Sequence, residues 1–318
     1  MPRVSFGIVT WNSAEVIAGS VASVRQQGGV AAELLVWDNG SGDETRAHLD
    51  VLTRPDERIY ADINVGFAAA HNALIARSRS EYYIALNPDV VLAPSFTAEI
   101  VAALEADPQA GSATGKLLRI DNPQILDSTG IRMLPSQRHV DRGADTVDAG
   151  QYDRLEYVFG ASGAAACYRR HMLEDARIGR EYFDEDFFAF REDADLAWRA
   201  QLLGWRCVYV PAARAWHGRR VTPARRPRLP AAINRASVRN RFLLRLKNQT
   251  WGHALTFAAP GLWRDAQVIG YVLAREHTSI PGLVDVVRYL PRALAKRRTI
   301  MRRRRVADEE IIAWFRQA

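Results

Sequence analysis

Tyr82-Tyr83-Ile84-Ala85-Leu86-Asn87-Pro88-Asp89-Val90-Val91-Leu92 sets two apolar runs around a polar tripeptide. The first run, unbroken and short, reads as a strand covered on both faces. Pro88 fixes φ and ends that strand, aiming Asp89 outward. Two readings of Asp89 follow from the residues. It is either part of a solvated Asn-Pro-Asp turn or an oxygen ligand for a hard divalent cation that also takes substrate phosphates.

Working outward, the first 120 residues alternate short apolar runs with amphipathic segments. Val4 to Val9, Leu34 to Trp37 and Arg58 to Ala61 read as strands beside Tyr82 to Leu86. Ser13 is placed to cap a helix whose apolar face is Val16, Ile17, Val21 and Val24. Further helices are expected from Ser41-Gly42-Asp43-Glu44, over Gly66 to Arg77 and over Ser95 to Ala106. Strands alternating with helices predict a mostly parallel, doubly wound α/β sheet with right-handed crossovers. Ligands sit at the strand ends of such sheets. There the chain places Thr10-Trp11-Asn12, Asp38-Asn39-Gly40-Ser41 and Asn87-Pro88-Asp89. Each is compatible with a plain turn; three together define a site.

The middle third holds a small-residue run, Gly160 to Cys167, that lets backbone approach a partner closely. Glu192-Asp193-Ala194-Asp195 opens a helix that Gly204 stops, and the strand Cys207 to Val210 leads to Trp216-His217. An acid at a helix start is either a cap or a reagent. His217 is either an ordinary half-buried histidine or a ligand.

The chain's 318 residues are 48% hydrophobic and 25% charged, an ordinary globular composition. Its formal charge of +7 is unevenly placed: residues 219–318 hold 22 Lys and Arg against 6 Asp and Glu. An acidic body with a basic tail predicts a cationic site in the first part and an anionic surface for the second. Few aromatics interleave with the tail's basic clusters, which argues against nucleic acid. Basic helices broken by Pro260, Pro281 and Pro291, with Trp251, Phe257 and Trp263 among them, suit anionic lipid. The N-terminus reads as a strand rather than a signal peptide. No window is apolar enough to span a bilayer. Cys167 and Cys207 lack zinc or disulfide spacing, so a reducing cytoplasm is the expected compartment, with both as small buried residues.

In order along residues 3–218, these pieces resemble the family 2 inverting glycosyltransferases of GT-A fold, most closely their rhamnosyltransferase-like branch. The matching motifs are Thr10-Trp11-Asn12, Val36 to Ser41, Asn64-Val65-Gly66-Phe67 with Asn72, Asn87-Pro88-Asp89-Val90, Gly160 to Gly163, Glu192 to Leu196 with Arg199, Gly204-Trp205, Pro211 and Trp216-His217. The resemblance implies a nucleotide-sugar pocket of Thr10, Asn12, Asp38, Asn39, Asn64, Gly66, Asn72 and Asn87, with Asp38 reading a pyrimidine base. It implies Mg2+ or Mn2+ at Asp89 and His217, Asp193 as base with Glu192 beside it, and Gly163 and Arg199 on the acceptor side. Asn87 stands where the family has an acid, which weakens the expected metal site.

The expected protein is therefore a GT-A domain over residues 1–220 with a basic helical region over 221–318. The resemblance points to L-rhamnose moving from dTDP-rhamnose to a glycan or lipid-linked saccharide at the inner face of the cell membrane. UDP-galactose or UDP-N-acetylglucosamine is the alternative donor, and oligomer formation is left open. A glycosidase would also gather acids around a sugar. A sugar nucleotidyltransferase would want a Gly-rich basic phosphate loop, which is missing. A non-catalytic nucleotide-sugar binder would work without Asp193.

Overall fold

In the computed structural model, which describes residues 2–219 and 230–316, the alternation in the first third is realised element by element. It runs β1 (Val4–Thr10), α1 (Ile17–Arg25), β2 (Ala32–Asp38), α2 (Thr45–Leu52) and β3 (Arg58–Tyr60). Then come α3 (Phe67–Arg77), β4 (Tyr82–Leu86), β5 (Val90–Leu92) and α4 (Phe96–Ala106). The fully buried β4 is the strand from which the sequence reading began, and Pro88 separates it from β5. Ser13 does not cap α1 with its side chain. Its Oγ turns back to the Trp11 carbonyl (3.3 Å), and its own carbonyl accepts the Val16 and Ile17 N–H groups.

The middle third is more regular than its small residues suggest. It supplies β6 (Ala110–Arg119), β7 (Leu126–Ser128), β8 (Ile131–Met133), β9 (His139–Asp141), β10 (Glu156–Val158) and β11 (Ala165–Arg169). Two helices, α5 (Arg170–Ala176) and α6 (Glu192–Leu202), precede the long β12 (Arg206–His217). The main sheet runs β10-β12-β6-β11-β4-β1-β2-β3, with β5 on β12 and β7 on β6. Strands β3, β2, β1 and β4 are mutually parallel, β12 is parallel to β6, and β11 runs antiparallel between β4 and β6. The sheet is thus mixed and mostly parallel.

One strand reaches further than its sequence suggests. Past Val210 the register of β12 against β6 slips, so that Pro211-Ala212-Ala213 loops out before pairing resumes at Arg214. Proline is tolerated at such a bulge. Gly115 makes it possible, because a Cβ there would lie 2.1 Å from the Ala213 carbonyl. Beyond the bulge, His217 pairs with Val90 of β5.

The C-terminal helices are α7 (Ala231–Asn248), α8 (Trp251–Thr256), α9 (Ala258–Ala274), α10 (Ile280–Arg303) and α11 (Asp308–Arg316). The expected boundary at residues 220 and 221 lies outside the described residues. The prolines do not break these helices as expected: Pro260 and Pro281 sit in first turns, where no N–H partner is lost, and Pro291 lies inside α10. Two apolar clusters pack on the two faces of the sheet. A third joins Phe159, Phe187 and Trp198 to Leu243, Leu244, Phe257, Ile311 and Phe315. Burying each such side chain contributes about 1.5–3 kcal/mol, so the helices complete the core of the first part. Phe257 is only 6% exposed, which removes it from the expected membrane-facing set, whereas Trp251 (79%) and Trp263 (69%) stand in solvent. Cys167 and Cys207 are buried and unpaired, and burial pushes the Cys207 thiol up to about 12.

Candidate active site

The carboxyl ends of β1 and β2 form one wall. Thr10 and Asp38 are register partners, and the Thr10 hydroxyl donates to Asp38 Oδ1 (3.1 Å). Asp38 also accepts from the Ser41 N–H (3.1 Å), the Ser41 hydroxyl and Arg46 Nε (2.7 Å). Four donors fill the carboxylate's lone pairs. The half-exposed Arg46, which the sequence reading missed, is one of the four, and it is held in addition by the Ala61 carbonyl. Asn12 ties the loops together, its Oδ1 accepting from Gly42 N–H and its N–H donating to Ser41 Oγ, both at 2.9 Å. Asn39 is buried and braces the next loop, accepting from Val65 N–H (3.0 Å) and donating to the Gly66 carbonyl (3.1 Å). Asn64 closes its own turn onto Gly66 N–H (2.9 Å). Gly66 has φ +88, and a Cβ there would sit 2.5 Å from the Phe188 carbonyl.

The opposite wall holds the residue with which the sequence reading opened. Asp89 Oδ1 lies 3.3 Å from His217 Nε2, and the His217 Nδ1 lies 2.7 Å from Asp127 Oδ2. Burial alone would lower the His217 pKa, but hydrogen bonds to Asp127 and Asp89 raise it to about 9. The imidazole thus carries its proton at neutral pH. Asp127, which burial would push up, is held below the usual carboxylate range by His217 and Arg219. The sequence reading missed Asp127, since nothing local in Leu126-Asp127-Ser128 marks a partner 90 residues away. Among the described residues no cluster of three or more His, Cys, Asp or Glu side chains is arranged as metal ligands. Asp89 Oδ1 and His217 Nε2, with Asp127 orienting the ring, nonetheless fit a cation that completes its shell with diphosphate and water oxygens.

Between the walls stands the acidic pair at the start of α6. Asp193 Oδ2 accepts from Gly163 N–H (3.0 Å), and its Oδ1 accepts from Ala194 N–H (2.7 Å). A Cβ at Gly163 would approach Asp193 Oδ2 to 3.2 Å, so the small residue lets the backbone meet the acid. Burial pushes Asp193 above its ordinary value despite these two donors. Burial and the charge of Asp193 push Glu192 well above its own. Just upstream, Phe188, Phe190 and Arg191 all have positive φ (63, 69 and 73). Each such non-glycine residue costs roughly 1–3 kcal/mol and persists only where the surroundings over-determine it.

Two expected ligand residues are used otherwise. Asn72 is buried and its amide is filled by protein: it donates to the Phe183 carbonyl (2.8 Å) and Glu185 (2.9 Å) and accepts from Tyr182 and Phe183 N–H. It is a strut between α3 and the segment before α6, not part of a sugar pocket. Arg199 is 2% exposed and is satisfied by Asp195 (2.9 Å) and the Ala176 and Tyr182 carbonyls, so it faces no acceptor. Asn87 is fixed through its backbone, its N–H on the Ala164 carbonyl (2.9 Å) and its own carbonyl accepting from Val90 N–H (3.2 Å), which commits none of its side chain.

These contacts form one continuous chain. Asp38 adjoins Asn39, which holds Gly66; the N–H of Phe67 meets the Phe188 carbonyl (2.7 Å), and that loop leads to Asp193. Asp193 holds Gly163, the neighbouring Ala164 holds Asn87, and Asp89 reaches His217. Residues distant in sequence are thereby linked along the carboxyl ends of the parallel strands, where such sheets bind ligands.

A mixed α/β sheet with this loop-built edge and a helical C-terminal region is a GT-A fold. The model of glycosyl transferase family 2 matches residues 5–175, over half of the chain, and the chain belongs to that family. The succinoglycan biosynthesis protein ExoO of Rhizobium meliloti is 28% identical over 221 residues, covering 67% of this chain and 60% of ExoO. A poly-beta-1,6-N-acetyl-D-glucosamine synthase of Staphylococcus aureus is 24% identical over 219 residues, covering 67% of this chain and 49% of the synthase. The chain thus spans 49–60% of the length of these relatives. S. aureus TarS 1-349 in complex with UDP-GlcNAc superposes with a TM-score of 0.58 at 16% identity, over 99% of this chain and 89% of that one. The mannosyltransferase PcManGT from Pyrobaculum calidifontis, in complex with GDP-Man and Mn2+, gives 0.56 at 17% identity, over 94% and 85%.

Proposed function

We propose that this chain is an inverting glycosyltransferase that moves a sugar from a nucleoside diphosphate donor onto a saccharide or lipid-linked saccharide in cell-surface polysaccharide synthesis. One observation carries the reading: Asp193, held by the Gly163 N–H, is linked through Ala164 and Asn87 to the Asp89–His217 pair. Asp193 takes the proton of an acceptor hydroxyl. The freed oxygen bonds the anomeric carbon from the face opposite the diphosphate, whose oxygen leaves with the bonding electrons. One displacement, with no enzyme nucleophile, inverts the centre. Gly163 orients the base, and the Asn39–Gly66 brace shapes the donor wall. Asp89 and His217 would hold Mg2+ or Mn2+, which when bound supplies positive charge for the departing diphosphate.

The order of the motifs supports L-rhamnose from dTDP-rhamnose as the first donor to test. The UDP-GlcNAc named with one structural neighbour supports UDP-sugars as the second. The exposed Trp251, Leu255, Leu262 and Trp263, together with Arg298 and Arg302, support placement on the anionic inner face of the cell membrane. Among the described residues no helix is long and apolar enough to cross a membrane.

Hydrolysis and transfer should be measured over dTDP-, UDP- and GDP-sugars with and without Mn2+, for wild type and Asp193→Asn. The expected result is one preferred pyrimidine donor and a rate loss of about 10²–10⁴ in the variant with nucleotide binding retained. Unchanged turnover in Asp193→Asn would leave a different base, and donor binding without turnover in the wild type would leave a non-catalytic nucleotide-sugar binder.

A further inference from the structure

The loop that delivers Asp193 is bent against its own preferences, and much of what holds it bent lies outside the catalytic half of the chain. Phe188 (φ 63, ψ −64) is the centre of a positive-φ γ-turn, closed by the Ala189 N–H on the Phe187 carbonyl (2.7 Å). Phe190 and Arg191 follow with positive φ, and Arg191 is the residue from which α6 begins. A turn of this kind leaves carbonyls pointing away from any regular ladder, and each needs a donor.

Asn240, on α7, supplies most of them. Its Nδ2 lies at hydrogen-bond distance from the carbonyls of Phe187 (2.8 Å), Ala189 (2.8 Å) and Phe190 (2.9 Å), which share its two hydrogens. The side chain is fully buried, and Arg239 Nε on Asn240 Oδ1 (3.0 Å) fixes which end of the amide faces the loop. The same guanidinium reaches the Asp186 (2.6 Å) and Phe187 (3.1 Å) carbonyls. The remaining carbonyl, Phe188, receives the Phe67 N–H at the start of α3. The loop is therefore fastened on one side to the donor wall and on the other to the C-terminal helices.

We infer that Asn240, oriented by Arg239, is a positioning residue for the reaction: it fixes the loop at residues 187–191 and through it the placement of Asp193. The inference rests on Asp193 being the base. A base misplaced by about 1 Å costs on the order of 10² in rate, whereas donor groups on the far wall keep their places.

Asn240→Ala and the near-isosteric Asn240→Asp, which replaces donors by a carboxylate facing three carbonyls, test this in the full-length chain. The expected result is a fall in kcat of about 10²-fold with donor KM and calorimetric binding of UDP or dTDP little changed. Amides 187–196 should lose hydrogen-exchange protection while β1 and β4 keep theirs. Wild-type kcat, or loss of nucleotide binding in step with kcat, overturns the inference. Where Asn240→Ala fails to fold, Arg239→Lys must show the same kcat-against-KM split, and its absence counts equally against the clamp. Asp193→Asn run alongside separates the two readings. If it keeps turnover the base assignment fails, and hydrogen exchange alone then decides whether Asn240 holds the loop.

Discussion

Glu192 shows what a catalytic neighbourhood costs one side chain. It is buried, and its Oε2 has no hydrogen-bond partner. Burial and the adjacent Asp193 raise its pKa well above the ordinary value of 4.5. A carboxyl with a raised folded pKa contributes stability that is complete at low pH and is lost as pH rises through that pKa. We predict that Glu192→Gln stabilises the protein by about 1–3 kcal/mol at pH 8, with the difference vanishing below the unfolded pKa. Urea unfolding at both pH values measures it. Asp195, three residues on, is surrounded by donors instead: its carboxylate accepts from Arg199, Lys247 and Asn248. Equal acids in one helical turn thus differ by the donors that happen to surround them.

At the scale of elements, β12 decides the second wall, because its three-residue bulge carries the strand on to His217. The raised pKa of His217 gives a signed expectation. With folded and reference values of about 9 and 6.5, its stabilisation is complete below pH 6.5 and is lost as pH rises toward 9. A cation on Nε2 must displace that proton, so Mn2+ affinity should climb across the same window. Melting temperatures with and without Mn2+ at both ends should diverge most at high pH. Asp127→Asn should weaken Mn2+ binding about 10–100-fold by releasing the far side of the ring. Much of this architecture was legible. The apolar periods gave the first four strands and helices, and the polar residues at their ends gave Thr10, Asp38 and Asp89. Asp127, Arg46 and Asn240 were not legible, because their roles depend on partners that only tertiary folding supplies. Asn72 and Arg199 were misread for the converse reason: a polar side chain in a motif looks the same whether it meets a ligand or a buried carbonyl.

For the whole molecule, the two halves of opposite charge turn out to be, in large part, each other's partners. Lys247 is buried between Asp184 and Asp195, Lys296 reaches Glu181 (2.7 Å) and Asp184 (2.6 Å), and Arg303 and Arg305 meet Asp175 (3.3 and 2.8 Å). Removing one member of a buried pair costs about 3–5 kcal/mol. We predict a loss of that size in Lys247→Met, read from the denaturant midpoint. Among the described residues, the exposed Trp251 and Trp263 stay available to the proposed anionic surface. Changing both to Ser should reduce sedimentation with phosphatidylglycerol vesicles while leaving turnover of a soluble acceptor intact. Equal binding of wild type to neutral vesicles would remove the lipid reading. The bulged strand and the charged seam together set a rule for protein engineering. A hybrid that borrows another transferase's tail has to import residues 175–195 as well, since a splice near position 220 would strand acids from one parent against foreign helices that hold no matching bases.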